Sequence, residues 1–142
     1  MIQTLVEDLA GEQPVVAAVD LGASASRTNG RTAMTADGDT TTAREGDGYV
    51  AYRHLGTTTS GLHVLIVMAN GGGSGVFEDV LWVRLVRDVV KEDGTRRDRT
   101  MLLKVGSFTL GDRDDGYVRL DGKRLLIGKS KYRPSETVVS LE

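Results

Sequence analysis

Six valines fall between residues 76 and 90 (Val76, Val80, Val83, Val86, Val89 and Val90), and they decide the fold class. On a helix, Glu78, Asp79, Arg84, Arg87 and Asp88 would scatter around the cylinder and leave no apolar stripe. β-Branched side chains lose rotamer freedom in a helix and pack well on a pleated surface. The pattern therefore predicts a long strand. Glu92-Asp93-Gly94-Thr95 follows, and Asp-Gly suits the positive φ angles of a two-residue hairpin loop. With Asp93-Gly94 as that loop, Asp88 faces Arg99, Val86 faces Met101 and Leu85 faces Leu102. Continued without a break, the same register sets Trp82 against Val105 and Asp79 against Phe108. Both faces are apolar at mid-strand, as expected of a central strand covered on both sides.

Composition agrees with a sheet protein. The 142 residues suffice for one domain with a full core, spanning positions 1–142. Eighteen glycines against two prolines, with abundant Thr and Val, favour an all-β fold with many turns. The chain has no cysteine, which excludes disulfides, thiolate metal sites and a cysteine nucleophile. The start, MIQTLVEDLAGEQ, lacks the basic and apolar regions of a signal peptide, and Val64–Ala69 is too short to span a bilayer. The expectation is a cytoplasmic protein with no membrane partner.

In order, Ile2, Leu5, Val6 and Leu9 have helical spacing, so a short N-terminal helix is expected over Ile2–Ala10. Val15–Leu21 reads as a strand and Gly22–Gly30 as a loop. Asp37-Gly38, Glu45–Gly48 and Asp121-Gly122 are turn signals, and Thr58–Gly61 closes Tyr49–Thr57 against Leu62–Asn70. With Asp121-Gly122 as a loop, Val118 faces Leu125 and Arg119 faces Arg124. Thr137–Leu141 is a last strand. The whole is an antiparallel meander of roughly 8–10 strands, forming a small β-barrel or a β-sandwich.

Val19-Asp20-Leu21-Gly22-Ala23-Ser24, with Arg27 following, resembles the first phosphate loop of sugar kinases in the actin-like ATPase superfamily. The resemblance implies a metal-coordinating role for Asp20, nucleotide phosphate on the loop, and a two-domain α/β body. No α/β alternation follows the loop, and a strand follows Gly71-Gly72-Gly73 where a phosphate-binding helix would be needed. The all-β reading stands.

Chemistry is sparsely signalled. His54 and His63 are the only histidines, and strand alternation puts them with Tyr52 on one face. These three are the candidate ligand-binding residues, with a general base at one histidine as the enzymatic alternative. A metal site would want further ligands, and none is predicted beside them. Asp112, Asp114, Asp115 and Gly116 open like a calcium loop, but Lys123 stands where the twelfth-position Glu belongs, so a turn is expected. Asp37, Asp39, Glu45 and Asp47 form a second acidic group in turns.

Charge is uneven along the chain. Residues 1–83 hold four basic and ten acidic side chains, whereas residues 84–133 hold fourteen basic and eight acidic ones. Within the second region, Arg119, Arg124, Lys129, Lys131 and Arg133, with Tyr117 and Tyr132 interleaved, form the candidate anion-binding set. Neighbouring aspartates offset that field, so nucleic acid is not the expected partner. No nucleophile–base–acid set emerges, and no catalytic residue, metal or cofactor is assigned. The reading is a non-enzymatic all-β module that binds a ligand or protein, or assembles with itself. A small barrel enzyme using His54 or His63 with a carboxylate is the alternative, and polyanion binding through residues 119–133 is the further one.

Overall fold

The computed structural model describes residues 18–20 and 33–142. The expected N-terminal helix and most of the phosphate-loop lookalike lie outside the described residues. Ten strands are described: β1 (Ala18–Asp20), β2 (Ala33–Asp37), β3 (Thr40–Glu45), β4 (Gly48–Thr57), β5 (His63–Asn70), β6 (Phe77–Glu92), β7 (Thr95–Asp112), β8 (Val118–Asp121), β9 (Arg124–Ile127) and β10 (Thr137–Ser140). They form two antiparallel sheets, one of seven strands in the order β1-β7-β6-β5-β4-β3-β2 and one of three in the order β10-β9-β8. From β2 to β7 each strand pairs with the next, which is the expected meander. The large sheet is open, with β1 and β2 at its edges, so it does not close into a barrel. Among the described residues there is no helix long and apolar enough to cross a membrane.

The small sheet packs on one face of the large one. Leu125, Ile127 and Leu141 meet Leu62, Val64, Ile66, Val80, Trp82 and Leu110 in one core cluster. Leu65, Val67, Leu81, Val83 and Leu102 form a second cluster on the opposite face of the large sheet. Val80 to Val83 are thus buried on both faces, and β6 is interior to the sheet. Burying each such side chain contributes roughly 1.5–3 kcal/mol.

The β6–β7 register holds near the turn and breaks beyond it. Asp88 pairs with Arg99, Val86 with Met101 and Leu85 with Leu102, around a loop in which Asp93 and Gly94 both have positive φ. Trp82, however, pairs with Gly106, and Asp79 with Thr109. A bulge at Val105 intervenes. It has a packing cause: the Trp82 indole lies over Gly106, where a Cβ would sit 2.4 Å from the ring. It also has a consequence. One inserted residue exchanges the two faces, so Leu102 serves one core cluster and Leu110 the other.

The β8–β9 register also differs from expectation. Val118 pairs with Ile127, Arg119 with Leu126 and Asp121 with Arg124, so the loop is Gly122-Lys123. Glycine takes the first loop position, at φ +60°, an arrangement as compatible with a hairpin as Asp-Gly. The like-charged facing pair is thereby avoided, and Arg124 instead forms an ion pair with Asp121 at 3.2 Å. The β2–β3 turn shifts the same way, with Asp37 paired to Thr40. At the β4–β5 connection, Thr58 and Leu62 bond to each other through their backbones and leave Thr59–Gly61 as a three-residue loop.

Candidate functional site: the cleft between the sheets

The interior-facing register of the large sheet builds the floor of a cleft. Arg53, Ile66 and Val80 stand in one cross-strand row, and Met68 faces Glu78 in another. The end of β7 adds Leu110, the connection to β8 adds Asp114, Gly116 and Tyr117, and β8 adds Val118. The cleft has a volume of about 610 Å³ and reaches Asp39 and Thr40 at the β2–β3 turn.

Two loops interlock at its back. Arg133 donates from Nη2 to Asp114 Oδ2 at 2.6 Å, from Nη1 to the Leu110 carbonyl at 3.0 Å and from Nε to the Gly128 carbonyl at 3.3 Å. Tyr132 donates its hydroxyl to the Asp112 carbonyl at 2.7 Å. The Lys131 amide donates to Asp115 at 2.9 Å, the Val76 amide to Asp112 at 2.7 Å, and the Tyr117 hydroxyl to Glu136. Asp112 thus holds Val76, whereas Asp114 and Asp115 both hold the Lys131–Arg133 segment.

Asp114 carries the chemistry. Its side chain is 1% exposed and that of Arg133 is 11% exposed, so the ion pair is buried. Oδ2 accepts from Arg133 and from the Gly116 amide at 3.2 Å. Oδ1 is buried and has no hydrogen-bond partner. The Ser130 hydroxyl lies close to the carboxylate without making a hydrogen bond of normal geometry to Oδ1. Burial would raise the Asp114 pKa, but Ser130, Arg133 and the Gly116 amide together hold it below the usual aspartate range. Glu78 is shifted the other way. Burial pushes its carboxyl above the usual glutamate range, and the negative charge of Asp114 adds to that, against weaker relief from the Asp114 amide, Lys131 and Arg53. The Tyr117 pKa is raised, chiefly because its hydroxyl donates to Glu136.

The histidines come together as expected, but on the other side of the sheet. Their ring centroids are 5.6 Å apart and their planes are inclined at 44°. The Thr57 hydroxyl bridges them, 3.3 Å from His54 Nε2 and 3.1 Å from His63 Nδ1. Tyr52 packs against the Leu65–Val67 cluster of that face, away from the cleft. Among the described residues, no three His, Cys, Asp or Glu side chains converge to hold a metal.

The five basic residues do not gather at one place. Arg133 points inward, Arg124 pairs with Asp121, and Lys131 lies 5.1 Å from the Tyr132 ring centroid. Arg119 and Lys129 are exposed, Arg119 on the outer face of β8 and Lys129 in the loop after β9. Glu78 and Arg53, which line the cleft, are not among the sequence candidates, and Asp114 enters there only as part of an expected turn. A signal for Glu78 was present: counting from Val80 and Trp82, it falls on the inward face, where an acid needs a reason.

No protein-family model, no characterised protein and no solved structure matches the chain. A functional reading must therefore come from the site itself.

Proposed function

We propose that the protein is a non-catalytic binding module whose ligand enters the cleft between the two sheets. One observation carries this: a cleft floored by Ile66, Met68 and Leu110 holds a half-buried acid, Glu78, whose carboxyl burial pushes above the usual glutamate range. A pocket with an apolar floor and a few convergent polar groups is the ordinary form of a ligand site. Catalysis is poorly served, because Arg133 keeps Asp114 ionised and inaccessible as a proton carrier.

A second reading, self-assembly through the β6–β7 hairpin, has its own support. Beyond Val83, β6 has only β7 beside it among the described strands, and Leu85 and Val89 there are about half exposed. Exposed apolar side chains on a strand edge invite pairing between chains.

Both readings are tested by amide chemical-shift mapping, first with protein concentration varied and then against a small panel of cationic, anionic and neutral fragments. Binding in the cleft predicts fragment-induced shifts at Glu78, Gly116 and Val118. Concentration-dependent broadening confined to Leu85–Val90, with no fragment response in the cleft, would replace the first reading with the second.

A further inference from the structure

We propose that His54 and His63 bind a divalent late first-row transition metal, copper(II) foremost, through His54 Nε2 and His63 Nδ1. The site lies on the opposite face of the large sheet from the cleft and stands independently of the cleft reading.

A bulge builds it. β4 and β5 pair His54 with Leu65, then skip Leu55 and pair Gly56 with Val64 and Thr57 with His63. An unbroken register would set Gly56 against His63 and turn Thr57 to the other face. With the bulge, His54, Thr57 and His63 share one face. Packing elsewhere holds the bulge in place. Leu55 packs against the core cluster beneath the small sheet, and a Cβ at Gly56 would come within 3.1 Å of Leu120 Cδ2 on β8. Just after Thr57, the buried Thr58 donates its amide to the Leu62 carbonyl and accepts from the Leu62 amide through its hydroxyl. Bulges of this kind re-aim side chains next to functional sites.

The ring nitrogens converge. His54 Nε2 lies 3.3 Å and His63 Nδ1 3.1 Å from the same Thr57 hydroxyl oxygen. That hydroxyl has one hydrogen, so without metal one ring nitrogen accepts it and the other donates to the oxygen. A metal at this point takes the lone pair of both nitrogens, and the donating ring carries its proton on the outward nitrogen instead. His54 and Thr57 are exposed and His63 is half-buried, so an ion from solvent reaches the site without opening the fold. Lys104 is the basic residue in the same cross-strand row, beyond Val83. It is two strands from His63, or about 10 Å.

The ligand set selects the metal. Both side chains are imidazoles, and no third histidine or acid joins them among the described residues. Magnesium and calcium want oxygen ligands. Zinc is ordinarily held by three or four protein ligands. Copper(II) heads the affinity order for a given nitrogen and oxygen set, and its tetragonal geometry accepts the Thr57 hydroxyl and water at the remaining positions.

The full chain is titrated separately with copper(II), nickel(II), zinc(II) and magnesium(II) chlorides, and the bound copper is examined by electron paramagnetic resonance. The expected result is a saturable copper site whose nitrogen hyperfine pattern reports two imidazoles. It should bind copper at least about tenfold more tightly than zinc or nickel, with no response to magnesium. His54→Gln, at an exposed position, is expected to weaken copper binding at least about tenfold and to leave one imidazole in the spectrum. His63→Gln is expected to do the same if it folds. One imidazole or none in the parent spectrum, or unchanged copper affinity in His54→Gln, marks an adventitious ion only and overturns the site. Zinc bound as tightly as copper overturns the choice of metal.

Discussion

β6 and β7 build two regions that behave differently although they are the same pair of strands. In the body, Val80 and Val83 are 0% and 1% exposed; in the projecting hairpin, Val89 is 50% exposed. The valines are alike and so is the backbone. What differs is what lies alongside: β5 pairs with β6 only from Phe77 to Val83, and β1 with β7 only from Met101 to Leu103. Six further residue pairs, Arg87–Thr100 to Glu92–Thr95, carry the hairpin outward beyond both neighbours, on the order of 20 Å at the usual rise per residue. Valine content thus encodes an extended chain, while depth is set by the neighbouring strands.

The largest test of this contrast uses two arginines. Arg133 and Asp114 form a buried pair, while Arg99 and Asp88 form a pair at 2.5 Å whose side chains are 29% and 41% exposed. Arg133→Met leaves a buried carboxylate without its partner and is expected to cost about 3–5 kcal/mol in urea denaturation. Arg99→Met is expected to cost under about 1 kcal/mol. Comparable losses would mean that the hairpin is held as firmly as the body.

Two glycines make the next comparison. Gly106→Ala drives a methyl into the Trp82 indole at a bulge that sets which face each β7 side chain serves, with an expected cost of about 1–3 kcal/mol. Gly94→Ala, at φ +79° with open space around it, pays only backbone strain, about 1 kcal/mol. Thermal unfolding of the two variants orders them. A larger loss for Gly94→Ala would place the stability of the fold in the hairpin turn.

The same contrast explains what could be read from the sequence. The strand identity of Val76–Val90, its turn at Asp93-Gly94 and its pairing as far as Leu85–Leu102 follow from local pattern. The bulge at Val105 does not, because its cause is the Trp82 ring meeting Gly106, a contact made only once the sheet has formed. At Asp121-Gly122 two registers satisfied the local turn rules, and the one adopted pairs Asp121 with Arg124 instead of setting Arg119 against Arg124. The histidine pair was legible because alternation along two neighbouring strands suffices to bring His54 to His63. The cleft was not: Asp114, Glu78 and Arg133 are separated by long stretches of chain, and only the docking of the two sheets makes them neighbours.

The smallest expected effect tests the electrostatics of that neighbourhood. The carboxyl of Glu78 has a raised pKa in the folded protein, through burial and then the charge of Asp114. The folded state therefore holds this proton more tightly than the unfolded state does. Stability falls as pH rises from the ordinary glutamate range through the raised value, and above it the full penalty persists. Asp114, with a lowered pKa, has the opposite sign: its contribution is present above the ordinary aspartate range and is lost as pH falls through its lowered folded value. Glu78→Gln removes the first effect and keeps the second. Without ligand, the variant should match the parent in acid and exceed it at neutral pH by a few tenths of a kcal/mol, since Glu78 is only half-buried. Denaturant midpoints across the pH range would show this as curves that converge in acid. A variant less stable than the parent at neutral pH would mean that Arg53 or Lys131 outweighs Asp114 at this position.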